Sequence, residues 1–184
     1  MLKYRIYDRL KEYAQCDKCF HMPGHKCAAE FAKLFPVAPI DITELEYSDN
    51  LSCPQNVIYS AQQELAGITG AKASFILTDG STSGVLSMLY AVKPYGNKVI
   101  IPVNCHQSVY NACKLFGLEP VIARGEFVNG VLMPPRPEQI YKLLSAHSGV
   151  CAMVAISPDY YGNIAPLAEY SRILKAQGKF LLVD

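Results

Sequence analysis

No run of apolar residues in this 184-residue chain approaches the roughly 20 needed to cross a bilayer. The start, MLKYRIYDRLKEYAQ, is amphipathic and lacks the apolar core of a secretory signal. Excess charge of either sign is missing too. Seventeen basic residues against sixteen acidic ones leave a formal net charge of +1, so no broad field favours nucleic acid or an anionic membrane. Internal repeats and low-complexity tracts are absent. The expectation is a cytoplasmic protein with no membrane and no nucleic-acid partner, acting on a small molecule or associating with copies of itself.

What is present is a core. About half of the residues are hydrophobic (51%), enough for one globular domain with a sizeable buried interior. Seven cysteines, Cys16, Cys19, Cys27, Cys53, Cys105, Cys113 and Cys151, are an odd number scattered through such a chain. They read as reduced thiols, most of them buried as small hydrophobes, and not as a disulfide framework.

From about residue 71 short apolar runs alternate with amphipathic stretches. The runs are Ser74 to Leu77, Val99 to Val103, Val121 to Ala123, Val150 to Ile156 and Phe180 to Val183. Between them the spacing predicts helices at Ser81 to Val92, His106 to Phe116, Glu138 to His147 and Leu167 to Gln177. Strands that are continuously apolar are covered on both faces, and alternation with helices implies crossovers. The predicted fold class is therefore α/β, a mostly parallel sheet with helices on both faces.

Residues 1–52 read differently, as a helical and extended N-terminal arm. A first helix is expected over residues 3–15 and a short helical turn in AAEFAKLF. HMPGHK and FPVAPIDITELEYSDNLSCP, rich in proline and polar residues, read as extended chain. Ser52-Cys53-Pro54-Gln55 has the shape of a capping box, opening a helix that ends near Gly70 and beginning a second region over 53–184. The chain ends on FLLVD, the end of a strand that belongs inside a parallel sheet, which suggests a truncated domain.

Ligands of open parallel sheets sit beyond the carboxyl ends of the strands, so the residues there carry the functional reading. TDGSTSG, residues 78 to 84, joins a strand to a helix. Gly80 lets the backbone come close, Ser81, Thr82 and Ser83 add hydroxyls, and the helix start offers free N–H groups to an anion, phosphate above all. It is neither the Gly-x-x-x-x-Gly-Lys-Ser/Thr nor the Gly-x-Gly-x-x-Gly pattern, and a simple N-cap by Asp79 or Ser81 explains it equally well. Asn104, His106 and Ser108 follow the next strand. His106 there is suited to stack on a flat ring, bond a substrate or move a proton, or only to cap its helix. Asp184 at the end of FLLVD calls for a cationic partner such as a protonated pyridine nitrogen, unless it turns into solvent. Ser157, Asp159, Tyr160, Tyr161 and Gly162 either face the same crevice or form a turn.

Upstream, CDKCFHMPGHKC holds Cys16, Cys19, His21 and His25, ligand types of a zinc site. A single residue separates Cys19 from His21, where zinc fingers use about a dozen, so the spacing argues against a metal. No strand precedes Cys16-x-x-Cys19, which leaves a redox motif equally unsupported.

The motifs FHMPGHK, DITEL, SDNL, GSTSG, NCHQSVYNA, SPDYYGN and LLVD, in that order, resemble the major domain of the pyridoxal-phosphate-dependent ornithine/lysine/arginine decarboxylases, members of the aspartate aminotransferase fold. The resemblance covers about residues 20–184. It implies the cofactor pyridoxal 5'-phosphate, with Gly80, Ser81 and Thr82 holding the phosphate and Ser108 near the phosphate or the ring edge. His106 would stack on the pyridine ring and Asp184 would pair with its nitrogen, making these two the catalytic residues. It also implies a basic amino acid as substrate and a homo-oligomer, dimer or higher, with the HMPGHK arm reaching a neighbouring subunit. Asp159 stands where the family usually has Thr, and Val103 where it often has Arg. The family's cofactor-carrying lysine lies in a Ser-x-His-Lys stretch beyond LLVD, so this length of chain is expected to be inactive by itself; the alternatives are an aminotransferase or another lyase of the same fold, and a non-catalytic truncated paralogue acting as a binding or assembly module.

Overall fold

The structure is a computed structural model and describes residues 5–15 and 19–184. Two compact units divide at residues 76 and 77.

In the first unit, helix α1 (Arg5–Tyr13) packs against α3 (Val57–Thr69), with an Arg5–Glu64 ion pair at 3.3 Å, and α2 is a single turn (Ala29–Ala32). Helix α3 ends where expected, at Gly70, whose φ of 70° suits a residue without Cβ. Its start differs from the capping box expected at Ser52. The cap residue is Asn56, with no side-chain hydrogen bond of its own. The free N–H groups of Ile58 and Tyr59 are met instead by Oδ2 of Asp49, at 3.0 and 3.4 Å, and the same carboxylate accepts from Asn56 (2.8 Å), Gln55 and Asn50 (2.9 Å each). A helix start needs an acceptor in the right place, and a carboxylate folded back from seven residues earlier supplies it better than a short serine. Burial pushes the Asp49 carboxyl up, but the converging backbone N–H groups of Gln55, Asn50, Asn56 and Tyr59 prevail and hold it at about 2.

The second unit holds a parallel sheet of four strands, β1 (Lys98–Pro102), β2 (Glu119–Ala123), β5 (Val150–Ala155) and β6 (Phe180–Val183), in the order β2-β1-β5-β6. Helices α4 (Gly80–Val92) and α5 (Gln107–Phe116) cover one face, where Val85, Leu89, Val109 and Ala112 meet Val99, Ile101 and Val154. Helices α6 (Pro137–Ala146) and α7 (Leu167–Ala176) cover the other, where Ile140, Leu144, Tyr170 and Leu174 meet Ile100, Met153 and Ala155. Every residue of β5 is buried, which is why it reads as an unbroken apolar run. The α/β class and the helices on both faces are as the sequence predicts.

Three expectations are corrected. Ser74 to Leu77 is not a strand: it pairs with no strand among the described residues, and Phe75 is 76% exposed. Apolar composition alone does not make a ladder. A hairpin, β3 (Phe127–Val128) and β4 (Val131–Leu132), was not anticipated, although Asn129 and Gly130 (φ 51° and 81°) are the residues that a tight turn of this kind demands. Finally, three of the described cysteines, Cys105, Cys113 and Cys151, are buried, whereas Cys19 and Cys27 are half-buried and Cys53 is exposed. Cys16 lies outside the described residues.

One irregularity sets the faces of β5. Lys98 is opposite Val150 but Val99 is opposite Ala152, so Cys151 is an extra residue, a β-bulge. The insertion lets Cys151 and Ala152 both face α4 and α5, and Val150 and Met153 face α6 and α7. The bulge is tolerated because Gly96 lies against it: a Cβ there would be 2.5 Å from the carbonyl oxygen of Gly149 and 3.0 Å from Cβ of Cys151. Gly96→Ala should therefore lower stability by about 1–3 kcal/mol, read as a lower urea midpoint, because neither backbone nor bulge can yield without loosening the sheet. An unchanged midpoint would show that the bulge can relax.

Candidate active site

The strand order reverses between β1 and β5: the chain goes from β1 outward to β2, then returns past β1 to β5 and on to β6. Where neighbouring crossovers diverge in this way, a crevice opens beyond the carboxyl ends of the strands. Residues 103–108 follow β1 there, Ile156 and Ser157 follow β5, and Asp184 follows β6.

Asp184 extends the ladder by one step. Its N–H donates to the Ala155 carbonyl at 2.9 Å, and its carbonyl accepts from Ser157 N–H at 3.0 Å. Side chains alternate along a strand, so Asp184 shares the face of Leu182, which packs in the core under α4 and α5. The electrostatics agree. The Cys105 thiol is pushed up to about 11, chiefly by burial, and the negative charge of Asp184 adds to the rise. The Asp184 carboxylate is thus close enough to be felt by the thiol of Cys105, the residue before His106. It is exposed and has no side-chain hydrogen bond among the described residues.

His106 is the N-cap of α5. Its Nδ1 accepts from the N–H of Ser108 at 3.2 Å and lies 2.8 Å from Ser108 Oγ. An Nδ1 that accepts a backbone N–H carries no proton itself, which places the imidazole hydrogen on Nε2 and fixes the ring plane. Ser108 is only 2% exposed, and its hydroxyl is engaged with His106.

Helix α4 begins at the same edge. Its last turn lies beside the last turn of α5, since Lys93 Nζ donates to the Phe116 carbonyl and the rings of Tyr90 and Phe116 are 5.2 Å apart. The two helices therefore run side by side in one direction, and the first turn of α4 lies at the edge where α5 starts. Gly80 opens that turn with φ of 71°, and an added Cβ would meet nothing, which leaves room for an approaching group. Asp79 makes no side-chain cap, so the simple N-cap by this residue is not what the structure holds. Ser83 bonds back to the Gly80 carbonyl at 2.9 Å, whereas Ser81 and Thr82 are exposed and their hydroxyls have no partner among the described residues. Free N–H groups, unpartnered hydroxyls and open space suit an anionic group.

Asp159 takes no part in this. Its Oδ1 accepts from the N–H groups of Tyr161 and Asn163, and Oδ2 from the Asn163 amide, all at 2.9 Å. The Asn163 side chain above all, aided by these backbone N–H groups, holds its carboxyl below the usual range despite burial. The carboxylate at a position where a threonine was expected is thus absorbed by its own turn. It borders a cavity of only about 10 Å3 with Asn104, Ile156 and Tyr170, room for about one water. Among the described residues, no helix is long and apolar enough to cross a membrane.

Solved structures share the fold. A chain from the crystal structure of the SepCysS–SepCysE N-terminal domain complex superposes with a TM-score of 0.63 at 17% identity, over 100% of this chain and 49% of that one. A PLP-bound C-S lyase from Staphylococcus hominis superposes with a TM-score of 0.50 at 15% identity, over 57% of this chain and 28% of that one. The fold is that of the pyridoxal-phosphate-dependent enzymes of the aspartate aminotransferase type. Residues 5–184 match the family described as "Orn/Lys/Arg decarboxylase, major domain", and the chain belongs to it. Arginine decarboxylase of Bacillus subtilis (strain 168) is 30% identical over 97% of this chain and 38% of its own length. The uncharacterized protein YaaO of the same organism is 33% identical over 97% of this chain and 39% of its own. The chain thus spans about two fifths of the length of these relatives.

Proposed function

We propose that the full-length protein decarboxylates a basic amino acid, ornithine, lysine or arginine, with pyridoxal 5'-phosphate as cofactor. The observation that carries this reading is the convergence on one edge and one face of the sheet of an uncapped helix start, an oriented imidazole and a free carboxylate. The N–H groups of the first turn of α4, with the hydroxyls of Ser81 and Thr82, hold the phosphate. His106, its plane set by Ser108, offers a ring face for stacking. Asp184 accepts a hydrogen bond from the pyridine nitrogen and keeps a proton there. When bound, the cofactor supplies an electron sink for the pair left behind as carbon dioxide departs. The fold alone serves several chemistries, so it is family membership that selects decarboxylation. Among the three substrates the relative's name favours arginine. The reading includes a cytoplasmic homo-oligomer.

The test is carbon dioxide release by the purified full-length protein, loaded with pyridoxal phosphate, from each of the three amino acids. Release from one of them, arginine first, is the expected outcome. Formation of the corresponding keto acid without carbon dioxide, or no reaction with any of the three, would overturn the assignment.

A further inference from the structure

The N-terminal unit contains a cluster of reactive side chains of its own. The ligand atoms of Cys19, His21 and Cys27 all lie within 4.8 Å of one another. Cys19 Sγ is 2.8 Å from His21 Nε2 and 3.0 Å from Cys27 Sγ. We propose that Cys19, His21 and Cys27 bind a zinc ion, with the remaining tetrahedral position open to solvent.

Spacing along the chain had argued against zinc, and the structure shows how the argument is evaded. The cluster is not built from consecutive pairs, for His25 turns away. Its Nε2 lies 3.2 Å from Asp41 Oδ2, its Nδ1 accepts from Cys27 N–H at 3.0 Å, and its ring stacks on Phe31. The chain instead doubles back within eight residues, through hydrogen bonds from Lys26 N–H to the Pro23 carbonyl and from Ala28 N–H to the His25 carbonyl. Lys26 and Cys27, at φ 50° and 55°, are successive residues in the left-handed region, where side chains with a Cβ cost about 1–2 kcal/mol each. A bound ion offsets such strain, and it is the strained residue Cys27 that completes the cluster.

His21 has the orientation of a metal ligand. Its Nδ1 faces the Met22 carbonyl, which can only accept, so the ring proton sits on Nδ1 and the lone pair on Nε2 points at Cys19. A carbonyl fixing the tautomer in this way is the usual outer partner of a zinc-bound imidazole. The ring also packs against Tyr13 at 5.4 Å between centroids. A disulfide between Cys19 and Cys27 would satisfy two of the three atoms and leave this lone pair without purpose. Two sulfurs and an imidazole select zinc over calcium or magnesium. Tetrahedral coordination at the usual bond lengths places ligand atoms ~3.5–3.8 Å apart, so binding opens the cluster by less than about 1 Å. Both thiols release their protons to solvent as the ion enters.

The full-length protein, kept reduced, stripped with a chelator, reloaded with zinc sulfate and desalted, should retain about one zinc per chain by mass spectrometry of the metal. Cys19→Ser and Cys27→Ser should each lose it, and Cys53→Ser, at an exposed thiol outside the cluster, should retain it. In the wild-type protein zinc should also protect Cys19 and Cys27, but not Cys53, from alkylation, a readout that requires no variant to fold. Cobalt in place of zinc should give a thiolate charge-transfer band. Zinc at background in the reduced wild-type protein would overturn the proposal, as would full retention by both cluster variants or loss from Cys53→Ser as well. Recovery of a Cys19–Cys27 disulfide from protein held reduced with zinc would do so too.

Discussion

Asp184→Ala in the full-length protein is expected to weaken pyridoxal phosphate binding by about 10- to 100-fold, the worth of one charged hydrogen bond. It should also cut the rate at saturating cofactor by a further factor of roughly 100 or more, as loss of a preorganised charge does elsewhere. The two effects have separate origins. Affinity falls because the pyridine nitrogen loses its acceptor, and the rate falls because an unprotonated ring draws electrons poorly. Asp184→Asn retains the size of the side chain but not its charge, so it should recover folding and some binding while remaining slow. Titration of apoprotein with cofactor, followed by the rate at saturation, measures both. Cofactor affinity and rate both unchanged in Asp184→Ala would remove this residue from the site.

The second large effect is expected in the N-terminal unit, at Asp49. Five backbone N–H groups converge on its carboxylate, which is 9% exposed. Asp49→Ala leaves them without their acceptor at the start of α3, and a loss of about 2–4 kcal/mol is expected from urea unfolding. The pH dependence carries a sign. The folded-state carboxyl is held at about 2, below its ordinary 3.8. A depressed value means stability that is present above pH 4 and is lost as pH falls toward 2, roughly 2 kcal/mol in all. The gap between wild type and Asp49→Ala should therefore be full at neutral pH and shrink in acid. A gap that is constant from pH 7 to pH 2 would show that the carboxylate charge contributes nothing.

The contrast between Asp184 and Asp49 shows which features were legible in the sequence. Asp184 and His106 could be picked out because each follows an apolar run that is a strand of the sheet, and a parallel sheet gathers the ends of its strands on one edge, whereas the run before Gly80 forms no strand. The elements built on local periodicity, α4 to α7 and the four sheet strands, came out within a residue or two for the same reason. Features that depend on distant partners did not. Ser74 to Leu77 has strand composition, but strand pairing is decided by a neighbour elsewhere in the chain. Asp49, in the left-handed region at φ 72°, meets the start of α3 from seven residues before its cap, whereas Ser52 had merely the right spacing. The Asn129-Gly130 turn is an exception, since its hairpin signal is purely local. Cys27 was seen as one thiol among seven, since no linear pattern announces a chain that doubles back onto Cys19 and His21.

His106 and Ser108 have one more consequence. The acceptor and both donors that aim the imidazole lie within three consecutive residues, so the ring takes its bearing from its own tripeptide and asks nothing of the more distant scaffold. Variation in the surrounding loops can therefore reshape the mouth of the crevice while the histidine keeps its heading, provided that a hydroxyl remains two positions downstream.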